Sequence, residues 1–140
     1  QAMGQALASK GEAEALRVGD VKPEHLKELD ALLVGSPTRA FSPTPATKDF
    51  LKGLAPNSLN GVKVTAFDTR IAVEETGPAI LKFLVKIFGY AAKPIANRLT
   101  KKGGTLALEP EGFFVQDTEG PLRDDELERA ADWAKQIITQ

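Results

Sequence analysis

Cysteine is absent from this sequence, which excludes a disulfide framework and thiolate chemistry. Histidine occurs once, as His25 in the charged stretch Pro23-Glu24-His25-Leu26-Lys27-Glu28. No second ligand stands at metal spacing from it. A Ser-His-Asp arrangement would need that imidazole at the carboxyl end of a strand, and the pattern puts it on a solvated helix face. No run of about 18 apolar residues is present, so nothing reads as a membrane span. Charge of one sign is lacking too: 18 Lys and Arg against 19 Asp and Glu leave a formal net charge of −1. The two signs are mixed along the chain, and the clustered basic face that nucleic acid requires is missing. No signal peptide is visible, which makes the cytoplasm the expected location. The chain opens Gln1-Ala2-Met3 without an initiator methionine and reads as one whose beginning is lost. Repeats and low-complexity stretches are absent as well. At 140 residues the length suits one domain with a sizeable core.

What is present is an alternation of strand and helix signals. Residues 30–41, Asp-Ala-Leu-Leu-Val-Gly-Ser-Pro-Thr-Arg-Ala-Phe, hold the sharpest one: an apolar run that stops abruptly in a polar turn. It predicts a strand at 31–35 buried on both faces. In an open parallel sheet, ligands bind beyond the carboxyl ends of the strands, so this turn is the first candidate site. Before it, Ala2, Met3, Ala6 and Leu7 share a helix face, with Gly11 where a C-terminal cap belongs. Residues 13–18 alternate partially and predict a short strand. Pro23 opens a helix with Leu26 and Leu29 inward. After the turn, Pro43 and Pro45 lie in a loop and residues 47–54 form a helix with Phe50, Leu51 and Leu54 inward. Residues 62–67 are a second apolar strand, running into Asp68-Thr69-Arg70.

Gly77-Pro78 reopens a helix to about Phe88. Pro94 starts another, with Ile95, Ala96 and Leu99 inward, closed by Gly103-Gly104. Residues 105–108 predict a strand, and Phe113-Phe114-Val115 extends or follows it. The last helix spans 125–138, with Asp125 and Glu128 as a capping box and Leu127, Ala130, Ala131, Ala134 and Ile138 as its buried stripe. Trp133 reads as packing. Strands alternating with helices throughout give the fold class: α/β, a parallel sheet with helices on both faces.

Several of these segments together resemble the flavodoxin-like family. Leu-Leu-Val-Gly-Ser-Pro-Thr at 32–38 is similar to its third strand and first ring-contacting loop, and Lys48-Asp49-Phe50-Leu51 to the helix that follows. Ala66-Phe67-Asp68-Thr69-Arg70 is similar to the fourth strand and second loop. Gly103-Gly104, Glu111–Val115 and Glu119–Leu122 match the fifth-strand region, and Glu126–Ala130 with Trp133-Ala134 the closing helix. The resemblance covers essentially the whole chain. It implies a three-layer sandwich in the strand order 2-1-3-4-5, with FMN at the switch point between strands 1 and 3, as is known for that family. The family's first strand and its phosphate-binding loop at a helix N-terminus have no counterpart here. A single domain over 1–140, truncated at its N-terminus, is therefore expected, with a gap of about 10 Å where the missing central strand would lie.

The resemblance implies FMN-dependent redox chemistry: electron transfer to a partner protein, or NAD(P)H-linked reduction of a small acceptor such as a quinone. The alternative is a flavin-free module of the same fold used for interaction or regulation. The implied cofactor-binding residues are Ser36, Pro37, Thr38, Arg39, Ala40 and Phe41 on one loop and Asp68, Thr69 and Arg70 on the other. Ser36 and Thr38 serve the ring or merely shape the turn. Arg39 and Arg70 steer an anion, pair with reduced flavin, or are solvated. Asp68 is a loop acceptor that positions the turn, with a general-base role as the lesser alternative. Phe41 stacks or packs the loop. Residues 72–90 read as an apolar helical insertion. Ile80, Leu81, Phe83, Leu84, Val85, Ile87 and Phe88 leave it apolar on most sides, where a surface helix needs one stripe. Residues 79–90 are expected to cover the site or to join copies of the chain in a homo-oligomer, with a deeply packed core helix as the alternative.

Overall fold

The apolar run after Asp30 forms β1, Ala31–Pro37, and the run after Gly61 forms β2, Lys63–Arg70. They lie side by side and parallel, with Ala31 opposite Lys63 and Ser36 opposite Asp68. These positions come from a computed structural model that describes residues 2–8, 11–37, 43–70, 91–114, 122 and 124–139. The edge beyond β2 is one interrupted strand. β3, Thr105–Leu106, pairs with the start of β2, and β4, Glu111–Phe114, with its end. Between them the Thr65 hydroxyl donates to the Leu108 carbonyl at 2.9 Å, fastening the interruption to β2.

Helices cover both faces. On one side lie α2, Pro45–Gly53, and α3, Ala92–Lys101; on the other lie α1, Ala2–Ala8, and α4, Glu126–Lys135. Successive strand residues point to opposite faces, and the two cores follow that alternation. Val34, Val64 and Ala66 meet Leu51 of α2, Leu54 at its C-cap and Ile95, Ala96 and Leu99 of α3. Phe113 meets Trp133 and Ala134 of α4, with Leu33, Phe67, Met3 and Leu7 packed against them. Phe67, Phe113 and Trp133 form a mutual edge-to-face triad with centroids 5.8–6.3 Å apart. This is the expected parallel sheet between helical layers. Each fully buried aliphatic, Ile95 and Leu99 among them, contributes about 1.5–3 kcal/mol over its exposed state.

The outer edge of β4 is occupied by side chains of α4. Glu126 accepts the Phe114 N–H at 2.7 Å, and Arg129 donates to the Gly112 carbonyl at 2.5 Å while holding Glu126 through Nε and Nη2 at 2.7 and 2.8 Å. The pair bonds β4 at the positions a further parallel strand would use, which removes an exposed edge. The hydrogen bond to Glu126, foremost, keeps the Arg129 guanidinium protonated above the ordinary arginine range, against the opposing effect of burial.

Several expectations are corrected. Residues 11–17 are exposed and form no strand. A strand exists only by bonding a neighbour, and no described strand lies beside them. Among the described residues β1 pairs with β2 alone, so the expected gap between two strands is instead an open edge of β1. Pro23 starts only a 3-10 turn, Pro23–Leu26, in which half-buried His25 accepts the Lys22 N–H on Nδ1 at 2.8 Å. That imidazole is a local cap, not a solvated helix face. The capping box at Asp125 does not form. Asp125 has φ 68° and its side chain caps nothing. The inward face of α4 runs through Glu126, Ala130, Trp133 and Ala134, and Ile137 continues it in the 3-10 turn Gln136–Thr139. Leu127, one residue round the helix, is left 61% exposed.

Candidate functional site at the strand carboxyl ends

Ser36 and Asp68 are the last inward-facing residues before the two polar turns, and they are partners in the β1–β2 register. Ser36 is buried because β1 continues two residues past its apolar run. Its hydroxyl donates to the Pro37 carbonyl at 2.9 Å and accepts the Thr44 N–H at 3.0 Å. Thr44 is in turn the N-cap of α2, accepting the Thr47 N–H at 3.4 Å, and its hydroxyl meets that of Thr47 at 3.0 Å. Pro45 in the first turn suits this start. A Ser–Thr–Thr chain thus joins the end of β1 to the start of α2.

Asp68 is fully buried in β2. Both carboxylate oxygens are engaged by Arg70 two residues on, from Nε and Nη2 at 2.6 Å each. The same carboxylate accepts the Ala92 N–H at 2.9 Å, at the first residue of α3, where negative charge is favoured. The Arg70 side chain is 19% exposed. Its guanidinium lies where Gly112 of β4 leaves room; a Cβ at that position would overlap it. Gly35 likewise leaves room for the Phe67 ring. Both glycines therefore make space for the protein's own side chains.

Of the residues singled out from sequence, Ser36, Pro37, Asp68, Thr69 and Arg70 are described, and they do converge at one end of the sheet. Thr38, Arg39, Ala40 and Phe41 lie outside the described residues, as does the segment 72–90. Pro37 is exposed and Thr69 half-buried. Arg70 is held by a buried acid, which departs from the solvated arginine that was one of its expected roles. Thr44 and Thr47 belong to the same arrangement and were missed, although Thr followed by Pro is a helix-start signal. Gly112 was also missed; the need for it arises only when β4 is laid against β2.

Among the described residues no group of three or more His, Cys, Asp or Glu is arranged to hold a metal ion. No described helix is long and apolar enough to cross a membrane. An open depression elsewhere, of about 370 Å³, lies along α4 and β4 and is lined by Glu111, Asp125, Glu128, Arg129 and Asp132 among others. It is not at the ends of β1 and β2, and Arg129 within it serves the β4 edge.

No protein-family model matches the sequence, and no curated protein matches it. Solved structures do match. Oxidised flavodoxin 1 from Bacillus cereus superposes with a TM-score of 0.74 at 14% identity, covering 99% of this chain and 86% of that one. A flavodoxin from the domain Archaea gives 0.66 at 20% identity, over 98% of this chain and 86% of that one. An oxidoreductase from Corynebacterium diphtheriae gives 0.56 at 20%, over 99% and 81%. At these identities the likeness is one of architecture, and on it the chain has a flavodoxin-like fold.

Proposed function

We propose that the chain is a flavin-associated redox protein that seats the ring of FMN at the carboxyl ends of β1 and β2. One observation carries this reading: the two turns singled out from sequence emerge side by side from register partners, Ser36 opposite Asp68, at the sheet end where such folds bind ligands. The donor set supports a ring site only in part. The Ser36 hydroxyl and the Asp68 carboxylate already have partners within the protein. Contacts from the described residues would thus come from the exposed Pro37 ring, the half-buried Thr69 and the accessible part of Arg70. Thr38–Phe41 would complete that wall in this reading. The described residues supply no evident set of donors for the phosphate. Bound there, FMN would supply one- and two-electron transfer, while the protein supplies orientation and a water-poor setting.

The engagement of Ser36 and Asp68 within the fold also favours a second reading, a flavin-free module for interaction or regulation. Visible absorbance of the purified protein, before and after adding FMN and removing the excess, separates the two. Retained flavin absorbance supports the first reading, and its absence the second. NADH consumption with and without a quinone then distinguishes an oxidoreductase from an electron carrier. Segment 79–90, within the insertion 72–90, as a cover or as a self-association surface, and a cytoplasmic location, are part of the same proposal. Sedimentation of Leu84→Glu against wild type tests the self-association surface: unchanged mass together with unchanged quinone kinetics removes that role.

A further inference from the structure

Ser36 and Asp68 share a geometry that neither role above requires. Each bonds one group just before, and one just after, the segment that follows its strand. For Ser36 these are the Pro37 carbonyl and the Thr44 N–H, which bracket residues 38–43. For Asp68 they are the Arg70 guanidinium and the Ala92 N–H, which bracket residues 71–91. The second closure ties positions 24 apart in sequence with a single buried carboxylate. The two closures stand next to each other in the sheet.

We propose that Ser36 and Asp68 are paired positioning residues: each clamps both ends of the segment that leaves its strand, so that the two segments start and finish at fixed points on the same end of the sheet. The polar atoms are consumed by the clamps. Gly112 belongs to the Asp68 clamp because a Cβ there would overlap the Arg70 guanidinium in the position from which it bonds the carboxylate. The inference does not depend on flavin binding and survives if the chain binds none.

Limited trypsin digestion of the whole chain, with fragments identified by mass, tests it. Arg39 lies in the first segment, and Lys82 and Lys86 in the second. Ser36→Ala removes one hydrogen-bonding hydroxyl and is expected to raise cleavage after Arg39 about fivefold while leaving cleavage after Lys82 and Lys86 unchanged. Ser36→Thr keeps the hydroxyl and restores the wild-type rate. Asp68→Asn loses the charge-assisted bonds and is expected to raise cleavage after Lys82 and Lys86 about tenfold or more, with little change after Arg39. If Asp68→Asn does not fold, Gly112→Ala replaces it, since it displaces the guanidinium and spares the bond to Ala92. Rates that rise equally at all three sites, or that follow the urea midpoint across the variants, overturn the proposal, because global destabilisation then explains them. Unchanged cleavage after Arg39 in Ser36→Ala also overturns it.

Discussion

Replacing Glu126 by Ala should cost far more than its place at a helix start suggests. Glu126 is 8% exposed. It accepts the Phe114 N–H at 2.7 Å and two bonds from Arg129 at 2.7 and 2.8 Å. Removing the acceptor of a half-buried backbone N–H costs about 1–2 kcal/mol. Losing the Arg129 bonds costs about 0.5–1 kcal/mol, because that side chain is 39% exposed and regains water. Loss of a negative charge at the first turn of α4 adds about 0.3–0.5 kcal/mol. The expected total is about 2–3.5 kcal/mol, a fall in Tm of roughly 6–14 °C for a chain of this size. Thermal and urea unfolding followed by circular dichroism measure it. Glu128→Ala, an exposed acid in the same turn, is the control and should stay within about 0.5 kcal/mol of wild type. Glu126→Gln keeps an acceptor for Phe114 and should lose about half as much. If Glu126→Ala and Glu128→Ala prove equal within error, the sheet-edge role of the pair is refuted.

The same pair predicts a flat alkaline response. A raised folded-state pKa gives stability that is complete below the ordinary arginine value and is lost only as pH climbs through the raised one. A Glu126–Arg129 double-mutant cycle should therefore return the same coupling energy at neutral pH and at about pH 10; a coupling that fades over that interval contradicts the assignment. Trp133→Ala opens the aromatic triad beneath α4 and should cost about 3–5 kcal/mol in urea unfolding. Glu28 sits exposed at φ 58°, where a side chain is strained, so Glu28→Gly should stabilise by about 0.5–1 kcal/mol.

The elements legible in the sequence are those whose pattern reports directly on a buried face. Leu32-Leu33-Val34 and Val62-Lys63-Val64 marked β1 and β2, and the spacing of Leu51 with Leu54 and of Ile95 with Leu99 marked the covering helices. The 13–18 segment misled because alternation is a local property while a strand is a pairing property. The Asp125–Glu128 box misled for a related reason. Cap chemistry depends on backbone φ, and the residue that turns inward is Glu126, drawn by an N–H on β4. The location of the candidate site was legible as an abrupt end to apolar runs. The work done by Ser36 and Asp68 was not, since their partners Thr44 and Ala92 become neighbours only once the sheet is formed. An acid and an arginine two apart on a strand, as at Asp68 and Arg70, share a face; that spacing was the one local hint.

Titrating FMN into the chain while following flavin fluorescence tests the central claim most directly. Saturable quenching is expected, with similar affinities for riboflavin and FMN, because in the proposed reading the ring and not the phosphate would meet the described ends of β1 and β2. Fluorescence that stays unquenched up to protein concentrations well above the micromolar range would contradict it.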